Sequence, residues 1–205
     1  MPYRRTPAVQ ARLDAQRAAI VEAGLRLLAE HGHAGCTMAA VAGRAGVATG
    51  SVYRHFAGKA ELSVELFRTV VGREVAAVSE AAARPSHRTA AERVVAVIET
   101  FASRALKAPR LAYALLAEPV DPAVDAERLV FRRAFRDVFA ERIAAGVRSG
   151  ELPPQDAVLT ASALVGAGAE ALTGPLTAGS PEPGTVPALV TFTLRALGVP
   201  DAEHA

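Results

Sequence analysis

Residues 37 to 67, TMAAVAGRAGVATGSVYRHFAGKAELSVELF, decide the fold. Thr37 is placed to cap a helix through Met38, Val41 and Ala42, and Gly46 supplies the left-handed position that ends it about two turns later. A second helix over 48 to 55 then has to start almost at once. It turns Thr49, Ser51, Arg54 and His55 outward, with Val52 and Phe56 inward and Val47 pointing back into a small core. A helix of about eight residues does not stand alone in water, so the pair acquires meaning only against its neighbours. A helix-turn-helix supplies that support, and its compact polar face is what a DNA-reading helix needs.

Working outward, the 205 residues suffice for one ordinary domain plus a small one. The chain is 51% hydrophobic, dominated by Ala, Leu and Val, and only 5% aromatic. That balance predicts helices rather than sheet, an all-α fold. Charge is more informative by position than in total. Residues 1 to 60 carry eight Lys or Arg, including Arg4 and Arg5, against three acids, a difference of +5. Over the other residues fifteen face eighteen, a difference of −3. The positive excess therefore coincides with the helix pair, as a phosphate-binding surface requires.

Cys36 is the single cysteine, which excludes an intrachain disulfide and a multi-cysteine metal site and leaves a sensor thiol as its one special role. The opening residues hold no hydrophobic run of a secretory signal, and no eighteen-residue apolar stretch free of charge and breakers is seen, so a cytoplasmic location is expected. Enzyme signatures are missing: no phosphate-cradling glycine loop, no His-Glu-x-x-His, no Gly-x-Ser-x-Gly. The histidines at 31, 33, 55, 87 and 204 are scattered. No enzyme activity, cofactor or metal is predicted.

About nine helices are expected. The first follows Asp14 as N-cap and stops at Gly32; a long helix from Lys59 runs toward Ala82; others span 89 to 107, 110 to 118, 123 to 149, 154 to 173 and 184 to 197. Pro109, Pro119, Gly150 and the Pro- and Gly-rich segment 174 to 187 separate them. The expected division is a DNA-binding domain over 1 to 66 and a helical effector-binding and dimerisation domain over 67 to 205.

Over residues 17 to 67 the chain resembles the N-terminal DNA-binding domain of TetR/AcrR transcriptional regulators. The likeness lies in the helix ending EHG, the capping Thr37, the AGRAGV turn, the short GSVYRHF helix, and Lys59 followed by Glu61 and Leu62. It implies a homodimer on operator DNA of near two-fold symmetry, commonly a repressor released when a small molecule enters the larger domain. Ala48 departs from the family, standing where Ser or Thr is frequent, and Ala60 replaces a frequent acid. Losing the cap weakens the recognition helix by about 1 kcal/mol. Thr49 is expected to take over part of that role.

Thr49, Gly50 and Ser51 are small or hydrogen-bonding groups at the start of the recognition helix, where bulk would hold it off the base edges. Tyr53 offers its hydroxyl to a phosphate and its ring to the module's core. Arg54 and His55 reach bases or backbone, or form a solvated face. Arg44 contacts a guanine or a phosphate. Lys59, at a helix N-terminus, is unfavourable with the helix dipole unless an anion joins it. Thr37 caps, with or without donating to a phosphate.

In the second half, Glu99, Phe101, Arg104, Tyr113, Leu116, Phe131, Phe135 and Glu170 are candidates for a pocket taking a hydrophobic or amphipathic effector, against the plainer reading of Phe131, Phe135 and Phe139 as core. Small residues over 157 to 172 point to a four-helix two-fold interface through Ala161, Leu164, Gly168, Leu189 and Leu194, against the plainer reading of an internal contact within one domain. Arg128, Arg132 and Arg136 read as a solvated stripe, with Arg133 paired to Asp137. An effector acting near 110 to 118 is expected to tilt the 59 to 82 helix and change the spacing of the two recognition helices. The competing reading is a helical dimeric adaptor that does not read DNA.

Overall fold

The computed structural model describes residues 6 to 178 and 183 to 199; Arg4, Arg5, His204 and residues 179 to 182 of the 174 to 187 break lie outside them. Among the described residues all regular structure is helical: α1 Pro7–Gly35, α2 Met38–Ala45, α3 Thr49–His55, α4 Lys59–Ala82, α5 Ala90–Lys107, α6 Pro109–Leu116, α7 Pro122–Ser149, α8 Ala157–Ala178 and α9 Thr185–Ala196.

The first helix starts two turns before the predicted Asp14. Thr6 is its N-cap, accepting the Val9 amide at 3.4 Å, and Pro7 sits at the first helical position, where a missing N–H costs nothing. Asp14 lies inside the helix and accepts from Gln10 Nε2 at 2.9 Å. Gly32 does end the regular run: its φ of 67° kinks the chain before a last turn to Gly35. Helix α8 continues through Pro175 to Ala178, past the predicted residue 173.

The N-terminal module closes around Ile20, Leu28, Val41, Val52, Phe56, Leu62 and Leu66, all essentially buried. Short α2 and α3 owe their helicity to this core, and truncating Phe56 to Ala would cost about 3–5 kcal/mol. Arg17 pins the same corner: its guanidinium lies 5.0 Å from the Phe56 ring centroid and donates to Glu65 Oε1 at 3.0 Å. Helix α4 then leaves the module and packs along α5 and α7, while α6 packs on α1 and α8. The 110 to 118 segment meets the module through α1, and it also borders α4, with Glu118 beside Lys59, Ala60 and Ser63 and with Leu111 and Leu115 sharing a cavity wall with Glu74.

That α1–α6 joint is built in detail. Glu118, just beyond α6, accepts the His33 amide at 3.0 Å, and a Cβ on Gly32 would lie 2.7 Å from its carboxylate. Both the positive φ and this close approach demand glycine. Arg128 of α7, only 11% exposed in its side chain, donates to the carbonyls of Ala114 and Leu115 at 2.9 Å and to that of Glu118. It caps the end of α6, so it is no member of a solvated stripe. Asp137 pairs with Arg136 at 2.6 Å, the neighbour, rather than with Arg133.

Candidate nucleic-acid interface and effector cavity

Local chemistry fixes the turn before α3. Thr37 Oγ1 accepts the Ala40 amide at 3.1 Å, and Gly46 adopts φ 67°, ψ 32°, with the Val47 amide reaching back to the Ala42 carbonyl at 3.0 Å. This is a Schellman ending, which turns the chain sharply into α3. Ala48 is the N-cap of α3 and no side chain caps it, so Thr49 has not taken over that role.

Thr37, Thr49, Gly50, Tyr53, Arg54 and Lys59 are exposed, with Ser51 and His55 half-buried. Tyr53 is 54% exposed, so its ring stands in solvent instead of contributing to the module's core. A Cβ on Gly50 would meet nothing within 4 Å, so no contact inside the chain calls for glycine there. His55 Nε2 lies 3.0 Å from Gln16 Oε1, which orients the ring against α1. Arg44 is paired with α1: its two terminal nitrogens hold both Glu30 oxygens at 2.9 and 2.7 Å, and that bond holds the Glu30 carboxyl below the usual range. A base contact by Arg44 would have to break this bidentate pair.

Lys59 occupies the first position of α4, where Gly58 provides no side-chain cap and Glu61 accepts the Ala57 amide at 2.6 Å. Thus a cation sits beside uncapped amides, an arrangement that an added phosphate stabilises. Cys36 stands apart from this chemistry. It is fully buried, its thiol reaches the Gly24 carbonyl at 3.6 Å, and burial pushes its pKa up to about 11. Protonated and inaccessible, it is no sensor thiol.

In the larger domain Phe101, Arg104, Leu116 and Phe131 line a cavity of about 40 Å³, together with Ala105, Leu111, Leu115 and Glu74. A second space of about 20 Å³, bordered by Phe135, Phe139 and Leu164, shares Phe101, Leu116 and Phe131 with the first. Both are small beside the range of about 300–1,000 Å³ typical of small-molecule pockets. Phe rings in edge contact divide them, with centroids 5.0 Å apart for Phe101 and Phe135 and 4.7 Å for Phe131 and Phe135.

Glu99 and Glu170 are exposed and border neither space, and Tyr113 lines a separate surface cleft with His31 and Arg110. Polar residues in apolar runs thus pointed outward, as helix surfaces allow. Glu74 is the residue the sequence reading missed. Its signal was available: it lies at helical spacing between Val70 and Val78, a carboxylate on an apolar face.

Ala161, Leu164, Gly168 and Leu189 are buried within the chain's own core, so they are not free to meet a second copy. Leu194 is half-buried. The same two helices also carry exposed apolar side chains, with Leu159 68%, Val158 54% and Phe192 47% exposed. Among the described residues α8 is the one helix long and apolar enough to cross a membrane, and only 22% of its most apolar window is buried. No group of His, Cys, Asp or Glu among the described residues is arranged to hold a metal.

A family model described as bacterial regulatory proteins, tetR family, matches residues 20–66. Curated proteins give no match. Among solved structures, the transcriptional regulator FadR from Bacillus subtilis in complex with stearoyl-CoA has a TM-score of 0.74 at 21% identity, over 90% of this chain and 99% of that one. FadR from Bacillus halodurans gives 0.72 at 19% identity, with coverage of 90% and 99%. A tetR-family regulatory protein from Rhodococcus RHA1 gives 0.67 at 22%, with coverage of 91% and 98%. These likenesses are ones of fold. The helix-turn-helix of residues 20–66 is the part of the chain that matches the tetR-family model, and the chain as a whole shares the fold of these regulators.

Proposed function

We propose that the chain works as a homodimeric repressor, with α3 of each copy in the major groove and an acyl-chain amphiphile as the effector that releases it. The observation carrying this reading is the match at residues 20–66 together with a recognition helix whose polar and small groups are left to solvent. Thr49, Gly50, Ser51 and Arg54 face base edges; Tyr53, Thr37 and Lys59 hold phosphates; His55 is set by Gln16. Arg44 acts through Glu30 unless DNA draws it away. The boundary between the domain of 1 to 66 and that of 67 to 205 falls inside α4, so one rigid helix belongs to both.

Dimerisation uses the outward face of α8 and α9, through Val158, Leu159 and Phe192, because a surface this apolar is costly to leave wet. One short helix reads only a few base pairs, and a second copy one DNA turn away supplies affinity and symmetry. The effector class rests on the apolar lining around Phe101 and Phe131 and on the stearoyl-CoA carried by the similar Bacillus subtilis fold.

Selection from a random duplex library, at low and then physiological salt, tests the reading. The expected product is a near-palindromic site whose binding weakens steeply with salt, and Lys59→Ala should lower affinity for all sequences alike. Failure to enrich any sequence would refute it.

A further inference from the structure

The cavity between α5, α6 and α7 has one charged pair in its wall. Arg104 of α5 donates from Nε and Nη2 to the two oxygens of Glu74 on α4, at 2.6 and 2.7 Å. The Glu74 side chain is 17% exposed and that of Arg104 44%, so the pair stands at the rim with its acid turned inward. Every other wall residue is apolar. A guanidinium holding a carboxylate by two parallel bonds recognises shape as well as charge. A neutral hydroxyl cannot replace Glu74 in that fork. Another carboxylate or a phosphate can.

We propose that the Arg104–Glu74 pair is a displaceable clasp between α5 and α4, opened by an effector whose anionic head takes the place of Glu74 on Arg104 while its chain enters among the Phe rings. This rests on the acyl-chain reading of the effector given above, and adds to it the charge of the head and the way it acts. Once displaced, Glu74 is an acid left without its cation beside a second anion, a state relieved when α4 moves away from α5. The chain acts on the same helix. Phe131 lines both spaces and meets Phe67 of α4 edge-on, with centroids 6.2 Å apart. Head and chain therefore press on α4 at residues 74 and 67, about two turns apart, and Lys59 lies about 22 Å from Glu74 along that helix.

Reciprocity follows: if DNA holds the clasped arrangement, an effector that must open it binds the DNA-bound protein more weakly. Clasp opening supplies the differential affinity without which no effector releases DNA.

The test uses the full chain and three probes below their micelle concentrations: palmitate, palmitoyl-CoA and hexadecanol, each competing with a fluorescent sixteen-carbon alcohol, with and without the selected duplex. Wild type should prefer at least one anionic probe to hexadecanol by about fivefold or more. Arg104→Met, which keeps the apolar stem, should erase that preference and leave hexadecanol unchanged. Glu74→Gln, which removes the competing acid, should tighten the anionic probe by about fivefold and bring its affinities with and without DNA together. Thermal melting of both variants establishes that they fold, and either alone decides the matter. Equal binding of anionic and neutral probes by wild type, or a preference that survives Arg104→Met, overturns the clasp while leaving the acyl effector standing. If none of the three probes binds, the effector reading falls and the clasp with it. Palmitate against palmitoyl-CoA shows whether the charge sits at the chain's end or beyond it.

Discussion

Two surfaces of this chain are left uncovered, for opposite physical reasons. The face around α3 presents hydroxyls, a backbone bare of side chain at Gly50, and the cation of Arg54, on a module whose inward residues are fully buried. Such groups keep their water until a charged partner replaces it. The face of α8 and α9 presents Leu159, Val158 and Phe192. Those side chains gain by losing water, so they call for an apolar partner. Exposure alone says little; what is exposed sets the chemistry of the partner proposed for each surface.

The largest expected effect comes from charging the apolar surface. Leu159→Glu with Phe192→Glu should convert the dimer to monomer in sedimentation velocity and lower operator affinity by about a hundredfold or more, because the second half-site is lost. A variant that stays dimeric would move the interface elsewhere. Leu164→Ala, on the buried face of the same helix, should instead cost about 2–4 kcal/mol in denaturant unfolding and leave the oligomeric state of the folded protein unchanged. That pairing separates the two faces of α8.

On the polar surface, Gly50→Ala sets stability against function. A methyl there meets nothing within 4 Å, and exchanging Gly for Ala inside a helix stabilises it by about 1 kcal/mol. Melting should rise while operator affinity falls, and a variant that binds as well as wild type would remove the close approach of Gly50 to DNA. Ala48→Ser should add about 0.5–1 kcal/mol by restoring the missing cap of α3, measured by the same melts.

A smaller effect tests the joint between the regions. His33 is 6% exposed, its Nε2 has no partner, and burial pushes its pKa below the ordinary 6.5. The unfolded chain takes up a proton that the folded one resists, so His33 contributes stability above pH 6.5 that is lost as pH falls toward its lowered folded value. His33→Gln should flatten that part of the stability profile. An unchanged slope would assign it to other groups.

The contrast also explains what the sequence made legible. Thr37 and Gly46 have chemistry specific to a helix start and a helix stop, so the turn, the direction of α3 and the outward residues could be read directly. Helix α8 is apolar around its whole circumference, and periodicity cannot say which stripe turns inward. Hence the interface expected at Ala161, Leu164, Gly168 and Leu189 falls on residues that the fold buries in its own core. The polar start of α1 gave no apolar period to follow, although Thr6 before Pro7 was a usable sign. The partners of Arg44 and Arg128 were hidden for another reason. Those partners, Glu30 and the end of α6, come from distant or differently oriented segments, and a sequence carries no distances.

Hydroxyl-radical footprinting on the selected duplex tests the central claim most directly. Two copies each seating α3 in the major groove should protect two segments related by two-fold symmetry, one helical turn or a multiple of about 34–36 Å apart, and Thr49→Ala with Arg54→Ala should abolish both together. A single unsymmetrical footprint, or protection that survives loss of those side chains, would contradict the account.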